Sequence, residues 1–302
     1  GAAVMLVYNR VPKAGSSSMT ELIWALAKAN RFRVDFQLPG SYHPDEQRLA
    51  HDLSKLRASD VYINHANFFA ATRSNTFDPL ARSECAFDQV KSSSAACQAG
   101  NTFYWFNVVR DPVEKMMSGY YYGVDPDART LKLAQEELRK READPLCGCA
   151  RLEFDACVRL KAANGCNISM PAQMAYFCEP WEEQTPGACT LELAVRRLEH
   201  SYAVVGLTEE SELTVHLLEA RLPRWFRNAS AIAKGMTRSR TTNNVNKLTN
   251  TTMTGCISKT AVALLAQHAR KYSVEVAFYT AAKHLFWRRA TEMAGLHSGL
   301  RS

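Results

Sequence analysis

Seven residues near the start of the chain, Pro12-Lys13-Ala14-Gly15-Ser16-Ser17-Ser18, place a mobile positive charge, a glycine and three hydroxyls in one short stretch. At a helix start such a stretch holds an anion. The first-turn N–H groups have no acceptor inside the helix, and the helix dipole favours negative charge there. The order excludes the common triphosphate loop, which needs Lys after the second Gly of G-x-x-x-x-G-K-[ST]; here Lys13 precedes Gly15. The same residues also suit an ordinary strand-to-helix turn with a Ser cap. His65 is suited to taking a proton near neutral pH, although a lone histidine is more often a surface or core residue. Arg110, with Ser118 eight residues on, offers a planar donor fork and a hydroxyl to a second phosphate. It serves equally as a helix cap with an arginine ion pair.

The elements that must position these groups follow from patterning. Val4 to Tyr8 is an apolar run that predicts a buried strand ahead of the loop. Met19 to Leu26 predicts a helix after it. Arg31 to Phe36 alternates as a short second strand, and Glu46 to Arg57 has helical spacing. Val61 to His65 reads as a strand that ends on a histidine, and Phe103 to Val109 as a stronger one running into Arg110-Asp111-Pro112. An acidic residue before Pro112 starts a helix from Val113 to Tyr122. Ala203 to Leu207 is a further strand before a helix from Glu209 to Arg221. Phe77 to Gly100 reads as an irregular excursion and Leu131 to Arg141 as a charged helix. Lys234 to Thr254 shows no periodicity, and Lys259 to Arg289 reads as one long helix. Strands alternating with helices predict an α/β fold with a mostly parallel central sheet, flanking helices and ligands at the carboxyl ends of the strands.

The 302 residues, 46% of them hydrophobic, are enough for a full core in one large domain or two small ones. A net charge of +7, from 37 basic and 30 acidic residues, suits a polyanionic partner. No apolar run approaches the ~18 residues of a membrane span. The chain opens on Gly1 rather than Met, so any signal or anchor is expected upstream. Nine cysteines stand at 85, 97, 147, 149, 157, 166, 178, 189 and 256, with no C-x-x-C pair to suggest structural zinc. Sequons at Asn167, Asn228 and Asn250 join the cysteines in favouring the secretory pathway.

The order Pro-Lys-x-Gly-Ser-Ser-Ser resembles the 5′-phosphosulfate loop of sulfotransferases that use 3′-phosphoadenosine 5′-phosphosulfate. Tyr8-Asn9-Arg10-Val11-Pro12-Lys13 is similar to the start of the glycosaminoglycan uronyl 2-O-sulfotransferase family, and separate blocks of resemblance continue to about Arg289. Tyr62-Ile63-Asn64-His65-Ala66-Asn67-Phe68 resembles the segment carrying that family's catalytic base. Heparan-type members have a second histidine at the place of Ile63, and chondroitin-type uronyl enzymes do not. Arg-Asp-Pro with Ser118 resembles the 3′-phosphate motif.

The resemblance implies one sulfotransferase domain over 1–302, with a disulfide-rich section at about 147–189. It implies transfer of the sulfuryl group to the 2-hydroxyl of a uronic acid in heparan, chondroitin or dermatan sulfate. His65 would be the base, and Lys13 would offset charge on the leaving phosphate. Pro12, Lys13, Ala14, Gly15, Ser16, Ser17 and Ser18 would hold the 5′ side of the donor. Arg110, Ser118, Arg240, Thr241 and Thr242 would hold the rest, and Arg10, Asp127 and Arg129 the acceptor. The resemblance also implies disulfides Cys157–Cys166 and Cys178–Cys189, no metal, a Golgi lumenal location behind an N-terminal anchor, and a homotrimer. The expected partner is an anionic polysaccharide and not a nucleic acid. The alternatives are a sulfotransferase for another glycan position and a catalytically silent glycan-binding homologue. A kinase is disfavoured by the missing Walker loop and the lack of a magnesium-binding carboxylate set.

Overall fold

A computed structural model describes residues 4–36, 46–68, 102–122, 146–149, 152–169, 172–243 and 257–299. These fall into two compact units. One comprises residues within Gly1–Val109, Gln173–Ser239 and Ala277–Ser302, and the other residues within Arg110–Ala172 and Arg240–Val276.

The first unit is built on a five-stranded sheet. Its strands are β1 (Val4–Asn9), β2 (Val34–Phe36), β3 (Val61–Asn64), β4 (Thr102–Val109) and, last in the order, Tyr202–Leu207. Their order across the sheet is β2-β3-β1-β4 and then Tyr202–Leu207, and every pairing is parallel. Parallel strands covered on both faces carry continuous apolar runs rather than alternation. Met5, Leu6, Val7 and Tyr8 are accordingly all fully buried. Tyr8 stacks on Phe106 of β4 with ring centroids 4.5 Å apart. The chain leaves β1 toward β2 and leaves β4 toward the opposite edge, so the switch of direction falls between these neighbours, where α/β sheets place ligands.

Helix α1 (Ser16–Asn30) follows β1 and buries Met19, Leu22, Ile23 and Leu26 at helical spacing. It starts three residues earlier than its apolar pattern shows, because serines at a helix mouth carry no periodic signal. Helix α2 (Glu46–Ser54) buries Leu49 and Leu53, with Leu56 buried just beyond it. Strand β2 begins at Val34 rather than Arg31, since Arg31 takes the left-handed conformation (φ 58°) that closes α1.

In the second unit, helix α3 (Pro112–Tyr122) and helix α4 (Phe154–Ala163) share a core that includes Met117, Phe154, Val158, Ala261 and Leu265. Strand β5 (Ile168–Ser169) pairs with Ala269–Arg270. In the first unit, a short 3-10 turn (Met174–Phe177) precedes helices α5 (Pro180–Gln184) and α6 (Leu191–His200). Strand β6 is Tyr202–Leu207, and α7 (Ser211–Arg221) and α8 (Pro223–Phe226) follow it. Helix α9 (Ala229–Asn243) extends well into the stretch read as aperiodic. Its first two turns lay Ala229, Ile232, Ala233 and Met236 at helical spacing against the core of the first unit.

The single long helix expected from Lys259 is two, α10 (Lys259–His268) and α11 (Tyr272–Gly299). Strand β7 (Ala269–Arg270) and a left-handed Lys271 (φ 68°) interrupt them. A left-handed residue cannot continue a right-handed helix. The excursion at 77–100 and the charged segment at 131–141 lie outside the described residues.

Two disulfides in the second unit correct the expected pairing. Cys157 joins Cys149 and Cys166 joins Cys147, with Cα separations of 5.3 and 5.9 Å. The pair Cys157–Cys166 does not form. Cys157 lies in the second turn of α4 and Cys166 lies beyond its end. At ~1.5 Å of rise per residue the helix holds them ~10 Å or more apart, beyond the ~7 Å a disulfide spans. Cys178–Cys189 is present in the first unit. Cys85, Cys97 and Cys256 lie outside the described residues.

Candidate active site

The phosphate-type loop joins β1 to α1. Lys13 (φ 63°) and Gly15 (φ 70°) both take left-handed backbone. Gly15 is the cap of α1; it supplies no side-chain cap bond, and no acidic residue sits in the first turn. A Cβ at Gly15 would make only ordinary contact with the Thr208 side chain, 3.4 Å away just past β6, so it is the left-handed backbone that favours glycine here. Ala14 and Ser16 are buried, Ser17 and Ser18 are exposed, and Pro12 and Lys13 lie between. The mouth of α1 thus carries two exposed serines and a partly exposed lysine. This arrangement can receive an anion.

His65 is the residue after β3, and β3 pairs with β1 so that Asn64 lies opposite Asn9. That register puts His65 beside Arg10. The His65 ring is 7% exposed and bonded to Arg10 at both nitrogens. Its Nδ1 lies 2.8 Å from the Arg10 carbonyl, which can only accept. Its Nε2 lies 3.0 Å from Arg10 Nε and 2.6 Å from Nη2, which can only donate. The pattern assigns a neutral ring with the proton on Nδ1 and the lone pair on Nε2. The Arg10 guanidinium also reaches Thr20 Oγ1 of α1 at 3.4 Å and lies 5.4 Å from the centre of the Phe36 ring.

Buried polar contacts hold these strand ends in place. Asn107 Nδ2 donates to the Asn9 carbonyl at 2.5 Å and to Asn9 Oδ1 at 3.1 Å. Asn9 Nδ2 donates to the Tyr176 carbonyl at 2.8 Å and to Tyr202 Oη at 2.7 Å. Beyond His65, Asn67 Nδ2 donates to Glu183 Oε2 at 2.6 Å, and the Phe68 amide donates to the Tyr176 carbonyl. Arg197 bonds both oxygens of Glu182, at 2.5 and 2.9 Å, and lies 4.8 Å from the Phe68 ring centre. The Cys178–Cys189 loop and the residues flanking it thus brace the segment that carries His65. Asn9, Asn67, Asn107 and Glu183 were not legible as site residues, since nothing in their spacing joins positions 98 to 193 apart. Their one advance signal was an asparagine at the end of an apolar strand.

In the second unit, Arg110 pairs with Glu114 at 3.4 Å, and Asp111 Oδ1 accepts from the amides of Val113 and Glu114, capping α3. The cap and ion pair that sequence offered as the plain reading are therefore both present. Ser118 lies on the same helix, partly exposed. Arg240, Thr241 and Thr242 lie on the last turn of α9 and not on a loop. Asp127, Arg129 and Asn250 lie outside the described residues. Asn167 and Asn228 are exposed. No described helix is long and apolar enough to cross a membrane.

Heparan sulfate 2-O-sulfotransferase 1 of Xenopus laevis is 27% identical to this chain over 294 residues, covering 94% of the chain and 70% of that protein. The Gallus gallus protein of the same name gives the same figures. The uronyl 2-sulfotransferase homolog pip of Drosophila melanogaster is 26% identical over 249 residues, covering 74% of the chain and 42% of that protein. The sulfotransferase family matches residues 4–273, a span that takes in the anion loop, the parallel sheet and His65; the chain belongs to the sulfotransferase family.

Proposed function

We propose that this protein moves the sulfuryl group of 3′-phosphoadenosine 5′-phosphosulfate to the 2-hydroxyl of a uronic acid in a glycosaminoglycan. The observation that carries the reading is the neutral His65 ring at the end of β3, its Nε2 lone pair beside the anion-type loop of β1. The acceptor oxygen attacks sulfur and its proton passes to His65 Nε2. The bond from sulfur to the 5′-phosphate oxygen breaks, and its electron pair leaves on adenosine 3′,5′-bisphosphate. Charge grows on that leaving oxygen, and the Lys13 ammonium with the first-turn amides of α1 offsets it. By the same resemblance, Arg110 and Ser118 take the 3′-phosphate, Arg240, Thr241 and Thr242 contact the nucleotide, and Arg10, Asp127 and Arg129 face the sugar. The positive net charge suits the polyanionic acceptor.

Ile63 favours a chondroitin- or dermatan-type acceptor as a second reading. It is fully buried in β3, so the second histidine of heparan-type members has no counterpart here. A Golgi lumenal enzyme on an N-terminal anchor, modified at Asn167, Asn228 and Asn250 and assembled as a trimer, completes the proposal.

The test is incubation of the protein with radiolabelled donor and a panel of desulfated polysaccharides, followed by disaccharide analysis. Label on the uronic acid 2-position supports the reading; label elsewhere, or none, overturns it. His65→Ala is expected to cost ~10²–10⁴ in rate while the bisphosphate still binds. Near-normal turnover would remove His65 from the base role.

A further inference from the structure

The Arg10–His65 contact poses a problem for a base at His65. The atom that must accept the acceptor's proton, Nε2, already accepts from the Arg10 guanidinium at 3.0 and 2.6 Å. Arginine stays charged at any working pH, so it does not release this lone pair by titration. Turning the ring over gives no free nitrogen either, because Nδ1 is bonded to the Arg10 carbonyl at 2.8 Å. One residue thus engages both ring nitrogens, with its backbone on one side and its side chain on the other. The two holds differ in kind. The Arg10 carbonyl is fixed in the sheet, where the Arg10 amide donates to the Asn64 carbonyl at 2.8 Å. The guanidinium sits on a flexible stem, and it also approaches Thr20 Oγ1 at 3.4 Å and the Phe36 ring face at 5.4 Å.

A competing anion would change the balance. Guanidinium prefers a bidentate carboxylate to a single imidazole nitrogen, because two charge-assisted bonds replace one shared lone pair. A uronic acid carries such a carboxylate on the ring whose hydroxyl reacts. We propose that Arg10 is a specificity-determining latch. It occupies His65 Nε2 until the carboxylate of the bound sugar draws the guanidinium away, so that the base is exposed only to an acidic acceptor. The inference rests on the reading of His65 as base and of a uronic acid as acceptor. It adds that selection for the acid acts on turnover and not on binding alone. Simple charge recognition would lower KM for the acid and leave kcat unchanged; a latch makes kcat depend on the carboxylate.

The experiment has an activity arm and a chemical arm. Wild type, Arg10→Gln and Arg10→Lys are assayed on one desulfated polysaccharide and on its carboxyl-reduced form. Adenosine 3′,5′-bisphosphate binding reports that each variant is folded. Wild type should lose at least tenfold in kcat on the reduced acceptor. Arg10→Gln should be faster in kcat than wild type on the reduced acceptor, and nearly indifferent to the carboxyl group. Arg10→Lys should fall between them. In the chemical arm, carbethoxylation of His65 by diethyl pyrocarbonate, read by peptide mass, should be several-fold faster in Arg10→Gln than in wild type. If Arg10→Gln is no faster than wild type on the reduced acceptor, the latch is overturned. Equal carbethoxylation of the two proteins overturns it as well. Failure of the function reading looks different: no protein then labels a uronic acid, while the chemical arm still reports whether Arg10 covers Nε2.

Discussion

Lys13 and Arg110 each bring a positive charge to the end of a parallel strand, and chemistry should separate them. Lys13 is a point charge on a flexible stem beside the first turn of α1, suited to an oxygen whose charge grows during reaction. Arg110 is a planar fork, suited to a phosphate that does not react. Lys13→Ala is therefore expected to reduce turnover more than affinity for adenosine 3′,5′-bisphosphate, and Arg110→Ala the reverse. Calorimetry with the bisphosphate, set beside rates, checks the ordering, and the opposite ordering would reject the division of roles. Lys115 gives a residue-scale prediction of another kind. Burial lowers its pKa from 10.5 to about 8, against the pull of Glu275. A lysine with a depressed folded pKa binds fewer protons folded than unfolded between those values, so its contribution to stability rises with pH across about 8 to 10.5. Relative to Lys115→Met, wild type should gain on the order of 2–3 kcal/mol between pH 7 and 10.5, at ~1.36 kcal/mol per unit. Paired denaturation curves over that range test it, and parallel curves would refute the buried-charge account.

At the scale of elements, β6 and α7 are fitted to each other at one glycine. A Cβ on Gly206 would lie 2.2 Å from Thr214 Cγ2 and 2.8 Å from Oγ1. Thr214 has little freedom to move, because its Oγ1 accepts from the Leu207 amide and donates to the Leu207 carbonyl, both at 3.0 Å. Gly206→Ala should cost ~1–3 kcal/mol or more by overpacking, read by urea denaturation. Adding Thr214→Ser, which removes the clashing methyl and keeps the hydroxyl, should recover part of that loss. A neutral Gly206→Ala would show that α7 shifts freely on the sheet. The pattern Ala203 to Leu207 announced this strand, and the acid-Pro start of α3 was equally plain, because apolar runs and caps are local signals. The split between α10 and α11 was not legible. Leu264, Leu265 and Tyr272 keep helical spacing across a break that is made by pairing of Ala269–Arg270 with β5.

At the scale of the whole molecule, each compact unit contains its own cross-links: Cys178–Cys189 in the first, and Cys147–Cys166 with Cys149–Cys157 in the second. Their sequence separations of 8 to 19 residues imply about 3 kcal/mol each in the chain-entropy model. Peptide mapping without reduction, with fragmentation to separate Cys147 from Cys149, should return these three links from protein made in an oxidising host. A peptide joining Cys157 to Cys166 would contradict the structure, and free thiols throughout would contradict the secretory reading.

Much about this protein was determined within short windows of sequence. Buried parallel strands need continuous apolar runs, and Val4–Tyr8 meets that need within its own window; the same local signals put Pro12–Ser18 between a strand and a helix and His65 at a strand end. What only the tertiary structure decided joins residues far apart in the chain. The pairing of β1 with β3 puts the Arg10 side chain on the His65 lone pair. The disulfide-closed loop Cys178–Cys189 and the turn just before it brace Asn67 and Phe68 through Glu183 and Tyr176. The partner of Cys157 is decided by the rigid length of α4 rather than by proximity in sequence. Sequence records which groups are available, and register, helix length and chain return decide which of them meet, because those distances are set by the packed backbone as a whole.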